Sequence, residues 1–175
     1  TEMLNEMQNA IASWRRVLAV VDTPADVADP GEDGQVLPAH PVVVDFDGVT
    51  YAYPGGPDVL RDLDVHIPAG QRVAVVGETG SGKSTFVKLL TRLMDPTHGQ
   101  VSLDGTDLRS VRVDSLRSRV VLVPQEGFLF DDTLEANLRY GRPSATRVEM
   151  LAALADLGLG EWLDSLPRGL DTRVG

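Results

Sequence analysis

The stretch Gly77-Glu78-Thr79-Gly80-Ser81-Gly82-Lys83-Ser84-Thr85 limits what this chain can fold into more than any other. It follows the apolar run Val73-Ala74-Val75-Val76 and precedes Phe86-Val87-Lys88-Leu89-Leu90, so it reads as strand, glycine loop and helix. In that setting glycines let backbone N–H groups close around a phosphate that a β-branched residue would hold off. The unpaired N–H groups and positive dipole end of the new helix make Gly82 to Thr85 an anion site before any side chain acts. Lys83 can reach β- and γ-phosphates as a point charge. Ser84 is placed to offer its hydroxyl to Mg²⁺, a small hard ion that takes few protein ligands and leaves the rest to water and phosphate oxygens. The plain alternative is a glycine turn with an exposed lysine, and the apolar strand before it and helix after it argue against that.

Composition agrees with a nucleotide-binding piece and excludes other classes. The 175 residues suit one ordinary domain, or a domain with an appendage. A formal net charge of -10, from 26 acidic and 16 basic residues, argues against a sequence-general nucleic-acid binder, which needs a basic footprint. A short loop can still capture an anion locally against that balance. Cysteine is absent, which removes disulfides, thiolate zinc sites and thiol nucleophiles. No apolar run is long enough to span a bilayer.

In chain order, Met3, Leu4, Met7, Ala10, Ile11, Trp14, Val17, Leu18 and Val21 recur at three- and four-residue steps and predict an amphipathic helix within residues 1–21. It either docks on its own domain or continues something upstream, and the lack of a capping group ahead of it points to the latter. Residues 22–41 are rich in Pro, Gly and acid and are expected to form an extended, mobile linker. The folded domain spans 42–175. Val42-Val43-Val44-Asp45-Phe46 has the outline of a metal-supporting strand that ends in Asp. Alternation resumes in Val49-Thr50-Tyr51-Ala52-Tyr53 after Asp47-Gly48, which predicts a hairpin, with Val59 to Ile67 as a third antiparallel strand. Asp45 is then an outward or edge residue.

The phosphate-loop strand is expected over Gln71 to Val76, a short strand over Gln100 to Leu103, and one or two helical turns from Arg112. Arg119-Val120-Val121-Leu122-Val123 reads as a strand buried on both faces of a parallel sheet. It ends at Pro124-Gln125, where open α/β sheets bind their ligands, although a loop Gln is also common. A helical block follows. Asp132 with Glu135, and Thr146 with Glu149, have capping-box spacing, while Gly141 and Gly158 act as stops.

The order Tyr53-Pro54-Gly55, Gly77 to Thr85, Asp104-Gly105, Pro124-Gln125 with Leu129-Phe130, Glu135-Ala136-Asn137-Leu138 with Tyr140-Gly141, and Leu166 to Thr172 resembles the nucleotide-binding domain of ABC transporters. It is most similar to the exporter type, in which membrane and ATPase parts share one polypeptide, and the resemblance covers essentially Val42 to Gly175. It implies an α/β P-loop NTPase core with an antiparallel β subdomain and the start of a helical subdomain. Residues 1–21 would then extend the last transmembrane helix.

The resemblance also implies ATP and Mg²⁺ as ligands, held by Tyr53, Gly77, Thr79, Gly80, Ser81, Gly82, Lys83, Ser84 and Thr85. Tyr53 would stack on adenine, although Tyr51, two residues earlier, shares its face if the strand is unbroken. Gln125 would contact Mg²⁺ and the attacking water, so that Lys83 and Gln125 serve catalysis while Ser84 and Gln125 serve the metal. The segment Glu126 to Phe130 and the helices after it would lie against the membrane half. The family's signature loop, Walker B strand with its catalytic Glu, and switch His belong after Gly175. His40, His66 and His98 precede that position and form no metal-spaced cluster. The stretch is therefore expected to bind ATP without turning it over. Implied partners are a second nucleotide-binding domain and the transmembrane domain of the same polypeptide, at the cytoplasmic face of a membrane, with no nucleic acid. The alternative is a soluble ABC-type or other P-loop ATPase without a transport role.

Overall fold

The computed structural model describes residues 2–23 and 25–175, with side chains left undescribed at 2–10 and 12. The chain divides into two compact units, Thr1–Leu122 and Val123–Gly175.

In the first unit, helix α1 spans Glu2–Val21. Its described apolar residues Ile11, Trp14, Val17, Leu18, Val20 and Val21 are all exposed, so this stretch of its face is not docked on its own domain. No helix among the described residues is long and apolar enough to cross a membrane. Strands β1 (Val44–Ala52), β2 (Asp58–Ile67), β3 (His98–Leu103) and β4 (Thr106–Asp107) form an antiparallel sheet in the order β2-β1-β3-β4.

The expected hairpin at Asp47-Gly48 is absent. β1 runs straight through it, and pairing to both neighbours shifts register there. Gly48 takes φ 56°, and its N–H bonds the Asp64 carboxylate at 2.8 Å. A glycine in left-handed conformation can be absorbed as a bulge within one strand, which sequence alone does not separate from a turn.

One face of this sheet carries Phe46, Val49, Val101 and Leu103, which are buried against Phe86 and Leu89 of helix α2 (Lys83–Leu90). The Phe46 and Phe86 rings stack at 4.4 Å. The sheet thereby fixes the helix that opens at the glycine loop. Helix α3 (Val113–Arg119) adds the buried Leu116.

Two expected strands are not formed. Residues 71–76 and 120–123 run without ladder partners among the described residues, and Val73, Val75, Val76, Val121 and Val123 are exposed. Apolar composition can nominate a buried parallel strand but cannot supply its neighbour, which must arrive through a long crossover.

Within the segment expected as a mobile linker, residues 28–37 make specific contacts to the domain. Gln35 makes a parallel bridge to Val111, its N–H donating to Ser110 O at 2.8 Å and its carbonyl accepting from Arg112 N–H at 3.0 Å. Leu37 is buried, and its N–H donates to Ser115 Oγ at 2.8 Å. The buried Arg92 donates to Ala28 O at 2.6 Å, to Val111 O at 3.3 Å and to Asp95 Oδ1 at 3.2 Å. Composition suggested a self-repelling segment. Backbone pairing and one buried guanidinium hold it instead as a strap.

The second unit has a two-stranded ladder, β5 (Asp132–Thr133) with β6 (Arg173–Val174), and helices α4 (Leu134–Gly141), α5 (Arg147–Asp156) and α6 (Gly160–Ser165). Leu134, Ala145, Met150, Leu154, Leu163 and Leu170 form its core. The Thr146–Glu149 capping box forms as expected. The first cap is displaced by one residue: Thr133 accepts from Ala136 N–H at 3.1 Å, which frees Glu135 for Arg139 at 2.7 Å and Arg147 at 3.0 Å.

Candidate functional site

Gly82 caps α2 at φ 90°, a conformation that L side chains rarely adopt. It is packed so closely on β2 that an added Cβ would lie 2.8 Å from Leu60 Cδ2. That single position ties the loop to the sheet, and the helix begins with Lys83, Ser84 and Thr85 in its first turn. Their N–H groups have no preceding turn to bond, which leaves a cluster of donors at the positive end of the helix.

Lys83 folds back over the loop and donates to Gly77 O at 2.8 Å, Glu78 O at 2.6 Å and Ser81 Oγ at 3.4 Å. Gly77, Thr79, Gly80 and Ser81 are exposed, as is Ser84. Thr85 is buried. The amine thus rests on weak neutral acceptors in the loop that an anion would replace with charge-assisted bonds.

Tyr53, just past the end of β1, reaches the same helix turn: its hydroxyl lies 3.2 Å from Thr85 Oγ1. Tyr53 is 41% exposed while Tyr51 is 9% exposed and belongs to the core. Tyr51 therefore has little surface to offer a ligand, whereas Tyr53 has more. Burial pushes the Tyr51 phenol up, with smaller contributions from Tyr53 and Asp26. Asp45 sits at 2.5 Å from His66 Nδ1 across the β1–β2 pair, consistent with an outward strand residue.

Gln125 is exposed at a bend in the second unit, whereas the other expected site residues all belong to the first. In that second unit Phe130 stacks on Tyr140 at 4.3 Å and meets Phe128 edge-on at 5.0 Å. Asn137 pins the segment through Phe130 N–H at 2.8 Å and Phe130 O at 3.0 Å. Phe128, Leu129, Phe130 and Tyr140 remain exposed.

No group of three or more His, Cys, Asp or Glu that could hold a metal exists among the described residues. The donor beside the loop is the exposed Ser84 hydroxyl, a hard oxygen at a helix start. That chemistry fits an ion that draws most of its ligands from water and phosphate. An open hollow of about 500 Å³ adjoins the loop between β2 and residues 73–76, lined by Leu60, Leu63, Val65, Val73, Val75 and Phe86. Its lining is mainly apolar and also includes Gly77, Ser81, Gly82 and Lys83 of the loop.

The signals missed in sequence were of one kind. Arg92, Ser115 and the Thr85 hydroxyl act on residues distant in the chain, and no spacing rule links them to Ala28, Leu37 or Tyr53.

A family model described as ABC transporter matches residues 60–172. The chain is 40% identical over 172 residues to the fatty acid ABC transporter ATP-binding/permease protein of Mycobacterium bovis, which covers 98% of this chain and 27% of that protein. It is 36% identical over 169 residues to an ATM1-type heavy metal exporter of Novosphingobium aromaticivorans, covering 97% and 28% respectively. With the ATP-dependent lipid A-core flippase of Desulfotalea psychrophila the identity is 33% over 175 residues, covering 100% and 30%. A solved structure of a bacterial Atm1-family ABC exporter with ATP bound superimposes with a TM-score of 0.86 at 36% identity, over 96% of this chain and 29% of that one. The chain thus spans less than a third of the length of each of these proteins.

Proposed function

The chain belongs to the ABC transporter family, and we infer from this that it is the ATP-binding portion of a membrane exporter, driving transport when two such domains close on ATP. The observation that carries the reading is the α2 start, where a glycine of left-handed conformation, the Lys83 amine and the buried Thr85 hydroxyl meet an exposed tyrosine brought by the sheet. The names of the relatives, an ATP-binding/permease protein, an exporter and an ATP-dependent flippase, favour transport over a soluble ATPase.

In this reading the loop N–H groups and Lys83 bind the β- and γ-phosphates, and Tyr53 offers its ring to adenine. The residues from Gly77 to Thr85 orient the phosphate chain. Ser84 would hold Mg²⁺, which would supply charge neutralisation on the phosphate oxygens. Lys83 stabilises negative charge that develops on the transferred phosphoryl group. The aromatic patch of Phe128, Phe130 and Tyr140 supports docking of the 126–130 segment on a transmembrane domain at the cytoplasmic face, since exposed clustered aromatics mark interaction surfaces. A second nucleotide-binding domain completes the site, so this stretch alone binds ATP without turnover.

Calorimetry with MgATP tests the phosphate assignment. Lys83→Ala is expected to weaken binding by roughly tenfold or more, the loss of a charge-assisted contact. Unchanged affinity would remove Lys83 from the site. Turnover by the chain that vanishes in Lys83→Ala would overturn the view that other segments complete the chemistry.

A further inference from the structure

Tyr53 lies beyond the last residue of β1 and opens the turn at Pro54-Gly55, where an unheld side chain would sample several rotamers. It is held by two contacts. Its hydroxyl meets Thr85 Oγ1 at 3.2 Å, and the Thr85 side chain is itself buried on the first turn of α2. Behind it the buried Tyr51 packs edge-on, with ring centroids 5.1 Å apart and planes at 88°. Tyr53 nevertheless remains exposed. We propose that Thr85 is a positioning residue for the base, its hydroxyl clamping Tyr53 in the orientation that receives adenine before nucleotide arrives.

This rests on the reading of Tyr53 as the adenine platform. The physical gain is preorganisation: a ring already fixed by folding loses less freedom on binding, so more of the stacking energy appears as affinity. It also joins base and phosphate recognition through one helix turn, because the clamp for the ring stands two residues from Lys83. A phosphate chain without a base draws nothing from the clamp.

The test is calorimetry on the chain with MgATP and, as a base-free probe, magnesium tripolyphosphate. Thermal melting verifies that each variant is folded. Tyr53→Ala is expected to weaken ATP roughly tenfold or more. Tyr53→Phe and Thr85→Val should each weaken ATP by roughly threefold, the scale of one hydroxyl bond. The double variant should be no weaker than the worse single, because both remove the same bond. Thr85→Ser should restore near-original affinity, and tripolyphosphate affinity should be unchanged by Tyr53→Phe. Unaltered ATP affinity in Tyr53→Ala would sink the platform reading itself. A loss in Tyr53→Ala without loss in Tyr53→Phe or Thr85→Val, or single losses that multiply in the double variant, would overturn the clamp and leave the platform standing. A Thr85→Val loss equal for ATP and tripolyphosphate would also overturn it, by placing Thr85 on the phosphates alone.

Discussion

Two sets of segments carry apolar residues with opposite fates. In β1 and β3, Val49 and Leu103 are 0% exposed. In the runs at 71–76 and 120–123, Val76 and Val123 are 86% and 84% exposed. Hydrophobicity does not separate them. What does is the partner: β1 finds β2 across the short connection at 53–57 and β3 on its other edge, while neither run has a ladder partner among the described residues. A strand is a property of a pair, and antiparallel pairs can be made locally whereas parallel ones cannot.

The sharpest way to break this contrast is to cut the same kind of side chain in both places. Leu103→Ala should cost about 3 kcal/mol in urea unfolding, because it removes buried methyl groups and leaves a cavity in the sheet–α2 core. Val76→Ala should change stability by less than about 0.5 kcal/mol, as at other exposed sites. Equal losses at the two positions would mean that the run at 71–76 is packed in solution.

The strap offers the intermediate case, irregular like those runs but held. Arg92→Met should cost about 2 kcal/mol, since it strands the carbonyls of Ala28 and Val111 and leaves Asp95 without its cation. Amide exchange at Gln35 and Leu37 should accelerate in the same variant. Protection that survives there would show that backbone pairing to Ser110 and Arg112 suffices.

A smaller loss than at Leu103 or Arg92 is expected where structure is purely local. Thr146→Ala removes the α5 cap at about 1 kcal/mol. Bonds from the Thr146 backbone and hydroxyl, with Arg142 beside them, lower the Glu149 carboxyl to about 2. A carboxylate lowered on folding stabilises the fold above its unfolded pKa, and that contribution fades as pH falls from about 4.5 towards 2. Glu149→Gln should flatten that part of the acid unfolding curve, and an unaltered curve would mean that the box does not persist in solution.

These contrasts also set how far the sequence could be read. The glycine loop, the helix after it and the box at Thr146 were legible because every atom involved lies within a few residues, so spacing encodes geometry directly. Gly48 was visible as a punctuating residue, yet turn and bulge require the same backbone freedom, and only pairing to β2 and β3 distinguishes them. The cap at Asp132-Thr133 shows the same limit on a smaller scale, since two adjacent residues could each accept from the helix and Thr133 does.

Residue order alone determined the glycine loop with the helix after it, the α/β class and membership of the family, because the glycine spacing arranges that loop without outside help. Tertiary structure decided which tyrosine faces the loop, that residues 28–37 are strapped down and which valine runs are buried. Each of those depends on a partner far along the chain, and burial and hydrogen bonding belong to the pair and not to either segment.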